Sequence, residues 1–200
     1  MDNYEKLIKK IAIENIIVFS GIAKEYGLNI TTYDTEGNMI YPSYVCNPIC
    51  SIIKGTDCNK ICQKANQVSY ELVKKFLNSD ERLIAEDFAS RNIIIVKEDK
   101  LPPIIVTSCG SKFGKYMLPI MIDNEVVGCC GVCGVYLKGE KIDLDYISEC
   151  SGVEARKFEI ILNEVLSPIS EKKITNLLAE MIKIINSTKK QKKFKLPPLL

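Results

Sequence analysis

The stretch "CNPICSIIKGTDCNKIC" places Cys46, Cys50, Cys58 and Cys62 close together in a chain with no histidine. Thiolates are good ligands for zinc and for iron–sulfur clusters. On a helix, residues four apart share a face. Cys46 and Cys50 are so spaced, and so are Cys58 and Cys62, with Gly55 between the pairs. Two helical turns could therefore aim four sulfurs at one point, and Cys109, just before Gly110, could join them from a strand. The competing reading is that free cysteine is a small residue that is often buried. A thiolate-held metal or cluster and inert or redox-active thiols both fit the spacing. Zinc and iron–sulfur also stay open, because the same thiolates serve both.

A second set is "GCCGVCG". Residues in a strand alternate between faces, so Cys129 and Cys133 should share one face and Cys130 should take the other. Gly128 and Gly131 would leave room beside them. The expected pocket is lined by Tyr116, Leu118, Cys129, Gly131 and Cys133, with Ile104–Val106 contributing. Cys150 reads as a buried helix residue without chemistry. Arg91 and Arg156 are candidate contacts for an anion, against the ordinary role of surface arginines.

Nine cysteines cannot all pair, and in a reducing compartment they are expected as thiols or ligands rather than staples. The opening "MDNYEKLIKK" carries no apolar signal-peptide core, and no apolar run approaches a membrane span. A cytoplasmic protein is expected. Net charge is +2, but the tail from Lys189 holds five lysines and no acid, which leaves the rest three units negative. That balance argues against a nucleic-acid surface. Without His there is no ordinary general base near neutral pH. No P-loop, dinucleotide glycine pattern or internal repeat is present. A binding module is therefore favoured over an enzyme.

The elements that must position these residues follow from spacing. A helix is expected over residues 3–26, closed by Gly27. Two short strands should flank a turn at Asp34–Asn38. Asn47 should cap a short helix begun by Pro48 and ended by Gly55. Asp57 should cap a helix from Cys58 to Leu77. Strands are expected at Ile93–Val96 and Ile104–Thr107, on either side of Pro102 and Pro103. A hairpin should turn at Asp123–Asn124. Helices are expected over Asp145–Leu166 and Ser170–Ile185. The apolar stripe Ile174, Leu177, Leu178, Met181, Ile182 and Ile185 offers a homodimer surface, unless it packs on the chain's own sheet. This order gives an α+β fold, a PAS/GAF-like antiparallel sheet flanked by helices. Residues 1–166 form the domain, 167–188 a C-terminal helix and 189–200 a basic flexible tail.

At Cys50, Gly55 and Cys58, and again in "CGSKFGKYMLPIMIDNEVVG" through Cys109, Gly110, Pro119, Ile120 and Gly128, the chain resembles the PocR sensory domain. The resemblance spans roughly residues 5–165. It departs where Gly110 follows Cys109 in place of a frequent His, and where Val135 follows Gly134 in place of Gln. It implies a PAS/GAF-like module that senses simple hydrocarbon derivatives. Cys46 and Cys62 are additions to its three thiols. The expectation is a small-molecule or redox sensor, holding an iron–sulfur cluster or zinc on Cys46, Cys50, Cys58, Cys62 and Cys109. It would signal through an output protein supplied in trans. A thiol-based redox enzyme and a metal-free sensor are the alternatives.

Overall fold

A computed structural model describes residues 3–34, 36–77, 94–96, 104–108, 111–123 and 125–193. Its elements in chain order are α1 (Asn3–Tyr26), β1 (Asn29–Tyr33), β2 (Tyr44–Val45), α2 (Pro48–Lys54), α3 (Asn59–Leu77), β3 (Ile94–Val96), β4 (Ile104–Ser108), β5 (Gly114–Ile122), β6 (Glu125–Val135), α4 (Leu144–Ser151), α5 (Ala155–Glu164) and α6 (Glu171–Lys193). The fold is α+β: one antiparallel sheet of order β2-β1-β6-β5-β4-β3, flanked by helices.

Local chemistry explains the boundaries. Gly27 ends α1 with φ +61°, a conformation that costs a side-chain-bearing residue about 1–2 kcal/mol. Asp34 closes the turn after β1 by accepting from the backbone N–H groups of Glu36 and Asn38. The β5–β6 hairpin turns at Asp123, with φ +47°. Asn124, Pro102, Pro103 and Arg91 lie outside the described residues.

The sheet has two unlike faces. Opposite partners share a face, so Ile30, Val132 and Tyr116 line up, as do Cys130 and Leu118. This face meets α1 and α6 in the main core, with Leu7, Ile8, Ile11, Phe19, Leu177, Leu178 and Met181. The other face carries Asn29, Thr31 and Tyr33 of β1, Cys133, Gly131 and Cys129 of β6, and Lys115 and Met117 of β5. It meets α3. A third cluster, built on Ile49, Phe113, Ile147, Phe158 and Leu166, joins α2, α4 and α5.

Three expectations change. The helix expected over Asp145–Leu166 is two helices, because Gly152 takes a left-handed conformation (φ +70°) and caps α4. The stripe from Ile174 to Ile185 is buried in the chain's own core beside α1, so it is not free to form a dimer surface. α6 runs to Lys193, so the first lysines of the expected tail are helical, and the helix belongs to the domain rather than standing apart.

Candidate functional site

Two buried asparagines fix the segment that carries the first cysteines. Asn29 Oδ1 accepts from the backbone N–H of Cys46 and of Asn47, both at 3.0 Å. Its Nδ2 donates to Cys133 Sγ at 3.7 Å. Asn47 Oδ1 accepts from the Cys50 N–H at 3.0 Å, the N-cap of α2, and its Nδ2 donates to the Gly134 carbonyl at 2.8 Å. Each amide answers backbone groups that burial would otherwise leave unpaired. α2 is thereby seated on the β1–β6 end of the sheet. Cys46 lies beside the Tyr44 hydroxyl, and hydrogen bonding between the two raises the Tyr44 pKa. Cys50 lies close to Gly134, where an added Cβ would be 3.1 Å from its sulfur.

Cys58 behaves differently. Its sulfur is joined to that of Cys150 on α4, with the Cα atoms 5.5 Å apart. Disulfide-bonded cysteines usually stand at this separation. Cys150 was expected to be a buried residue without chemistry, but it is half-buried and bonded. The expectation that every cysteine is a thiol or a ligand gives way here too. Cys62 sits one turn further along α3, within electrostatic reach of Tyr33. Cys109 and Gly110 lie outside the described residues.

Of the expected ligands, the four among the described residues do not by themselves gather as one set. Among the described residues, no three Cys, Asp or Glu side chains form a group able to hold a metal. A tetrahedral thiolate site needs four donors, and the described residues bring two, Cys58 and Cys150, to one point. By themselves the described thiols do not fit a four-sulfur cluster.

The α3-facing side of the sheet holds a polar group of another kind. Cys62, Asn66 and Tyr70 recur at four-residue spacing on α3, one helical face. Opposite them stand Thr31, Tyr33, Lys115, Cys129 and Cys133. Lys115 is only 3% exposed, unusual for a lysine. Its Nζ donates to Asn66 Oδ1 at 2.6 Å and lies 5.1 Å from the centre of the Tyr33 ring. The Thr31, Tyr33 and Tyr70 hydroxyls are buried; Thr31 and Tyr33 lie within side-chain hydrogen-bonding reach of each other, and the Tyr70 hydroxyl has no partner among the described residues. Burial pushes the Tyr33 phenol well above its ordinary pKa, the Cys133, Cys129 and Cys62 thiols add to that rise, and hydrogen bonding with Thr31 opposes it. Burial likewise raises Tyr70 to about 12 and moves the Cys129 thiol strongly upward. These groups stay protonated at neutral pH, so both phenols are available as donors.

Of the five residues expected to line a pocket, Cys129, Gly131 and Cys133 share this face. Tyr116 and Leu118 lie on the opposite one, in the core with α1 and α6. Nor does Gly131 open a space. A Cβ there would collide with the Tyr116 carbonyl oxygen, so the glycine serves close approach of the strands. At Gly128 a Cβ would come within 2.6 Å of the Tyr33 carbonyl oxygen. Arg156 is exposed on α5. Thr31, Tyr33, Tyr70 and Lys115 were missed. Alternation in "NITTY" and the recurrence Cys58, Cys62, Asn66, Tyr70 were the available signals. No helix among the described residues is long and apolar enough to cross a membrane. In comparisons with known proteins, no family model, no curated protein and no solved structure matches the chain.

Proposed function

We propose that the protein is a small-molecule-binding sensory module of the PocR-like kind, with its ligand held between α3 and the facing side of the sheet. One observation carries this reading: the buried hydroxyls of Thr31, Tyr33 and Tyr70 gather beside buried Lys115, and that of Tyr70 has no partner among the described residues. An unpaired buried hydroxyl costs about 1–3 kcal/mol. Such a hydroxyl on α3, facing two more hydroxyls and an ammonium on the sheet, favours a site that a ligand completes. The state of that site would pass through α3 to a partner protein. The test is a thermal-shift screen of small polar molecules on the full chain and on a Tyr33→Phe/Tyr70→Phe variant. A ligand that stabilises the native chain and loses that effect on the variant supports the reading. If every stabilising compound acts equally on both, the site is not there.

A second reading, a cysteine-held metal or cluster, is favoured by the meeting of Cys58 and Cys150. Paired sulfurs are also what two ligands of one ion present. Cys109, Cys50 and Cys62 are the candidates to complete such a set. Metal analysis and an absorption spectrum of anaerobically purified protein decide it. Iron or zinc lost on Cys58→Ser and on Cys150→Ser supports a metal, and metal-free protein removes it.

A further inference from the structure

The outer side of α1 carries a pattern of its own, opposite the core. Leu7, Ile8, Ile11, Ala12, Phe19 and Ala23 turn inward and are buried. Lys6, Lys10, Ile13, Ile17, Ser20 and Lys24 stand on the other side, at alternating spacings of four and three. That is the repeat with which one helix presents a straight seam to another. Ile13 is 44% exposed, Ile17 71% and the flanking Val18 59%. Single exposed aliphatic residues are ordinary on a surface, but three so close together on one helix form a patch. Gly21 lies beside the seam, and a Cβ there would meet nothing within 4 Å. Glycine in the middle of a helix costs about 0.5–1 kcal/mol against alanine. No other part of the described chain comes near enough to require it. A second helix passing close to the backbone would.

Charge decides what can cover this seam. It holds lysine near both ends and no acid. Lys10 is engaged by Glu14 of its own helix at 3.8 Å. Exposed Lys6 and Lys24 mark the ends, about 27 Å apart along the axis. The acids beside the seam already have partners: Glu14 meets Lys10 and Thr188, and Glu25 meets Lys173. A second copy pairing in parallel would set Lys6 against Lys6. An antiparallel copy that matches Ile13 to Ile17 would set Lys6 against Lys24. Like charges facing one another oppose both. A lipid surface takes a broad apolar face, and the broad face of α1 is buried in the core. What stays outside is a narrow strip. A helix with aliphatic residues at the centre of its seam and carboxylates toward both ends complements it throughout.

We infer that the outer seam of α1 docks an acidic amphipathic helix of a partner protein, its aliphatic residues on Ile13 and Ile17 and its carboxylates on Lys6 and Lys24. This surface lies across the sheet from the ligand site proposed beside α3 and uses none of its residues. The experiment uses the full chain, without ligand, and two labelled synthetic peptides of about three heptads. One has Leu at the centre of its seam and Glu toward both ends. The other has Lys in place of each Glu. Fluorescence anisotropy reads binding. The acidic peptide should bind saturably, and the basic one about tenfold more weakly or worse. Ile17→Glu changes an exposed side chain, so it should keep the native melting temperature while weakening the acidic peptide about tenfold. Lys6→Glu/Lys24→Glu should reverse the order of the two peptides. Sedimentation of the chain alone and flotation with phosphatidylglycerol vesicles test the other occupants. Equal binding of the two peptides, or binding of neither, overturns the inference. Acidic-peptide binding that Ile17→Glu leaves unchanged overturns it too. A dimer or vesicle binding that Ile17→Glu abolishes, found without acidic-peptide binding, gives the face to a second copy or to lipid instead. None of these outcomes bears on the ligand site, whose own test reads Tyr33 and Tyr70.

Discussion

Cys58 at the head of α3 and Cys150 at the end of α4 are joined across 92 residues of sequence, with their Cα atoms 5.5 Å apart. Closing so long a loop limits the unfolded chain more than the folded one, an effect of about 2–4 kcal/mol in typical cases. Protein prepared without reductant and then unfolded should show seven free thiols rather than the nine of the sequence. Cys150→Ser should lower its unfolding free energy by that amount, and reductant should bring the native chain down to the variant. Nine free thiols in unreduced protein would count against the bond.

Asn15 stands in the main core, fully buried on α1, and donates to Cys130 Sγ at 3.6 Å while its own Oδ1 has no partner among the described residues. An orphaned amide oxygen costs more than a weak bond to sulfur returns. Asn15→Leu should therefore be neutral or stabilising, by up to about 1–2 kcal/mol. Asn15→Asp should destabilise by several kcal/mol, since it buries a carboxyl in the same place. Chemical unfolding of the two variants measures this. A large loss on Asn15→Leu would show that the amide has an acceptor role.

Much of the scaffold was legible because its signals are local. Asn47 and Pro48 announce the start of α2, Gly27 the end of α1, and Asp123 the hairpin turn. Period-two alternation correctly separated Cys130 from Cys129 and Cys133. It could not say which face a neighbouring strand shares with them. That depends on register, and Tyr116 pairs with Val132 and Leu118 with Cys130, not with the other two thiols. The α6 stripe reads equally as a homodimer surface or as a face packed on the chain's own core, because a stripe does not name what covers it. The break at Gly152 was hidden because helical apolar spacing continues on both sides of it. The Cys58–Cys150 bond, and the meeting of Tyr70 with Tyr33, are contacts distant in sequence with no local mark.

Gly134 is a junction that tolerates no side chain. Its φ is +71°, and a Cβ would stand 2.7 Å from Asn29 Nδ2 and 3.1 Å from both Asn47 Cβ and Cys50 Sγ. Gly134→Ala should lose roughly 2–4 kcal/mol, from backbone strain together with displacement of the asparagines. The local effect should be larger than the global one. The Cys46 and Cys50 amides, held by Asn29 and Asn47, should exchange hydrogen faster in the variant. Unchanged protection at those two amides would mean that the asparagines do not hold α2.

The buried thiol of Cys130 ties stability to alkaline pH. Burial raises it from an ordinary value near 9 to about 12, and the Asn15 amide pulls weakly the other way. In the unfolded chain the same thiol ionises from pH 9. Between these values the unfolded state binds fewer protons than the folded one, so stability falls as pH rises. The contribution of Cys130 is complete below pH 9 and lost as pH climbs toward 12. Its slope is about 1.4 kcal/mol per pH unit, on the order of 4 kcal/mol over the whole window. Cys130→Ala removes this dependence while opening a small cavity. The variant should therefore be weaker than the native chain at pH 7, and the gap should narrow by about 1.4 kcal/mol for each unit above 9. Urea unfolding at pH 7, 9, 10 and 11 measures it. Parallel curves for the two proteins would show that the thiol ionises alike in both states, and that its site is open to water.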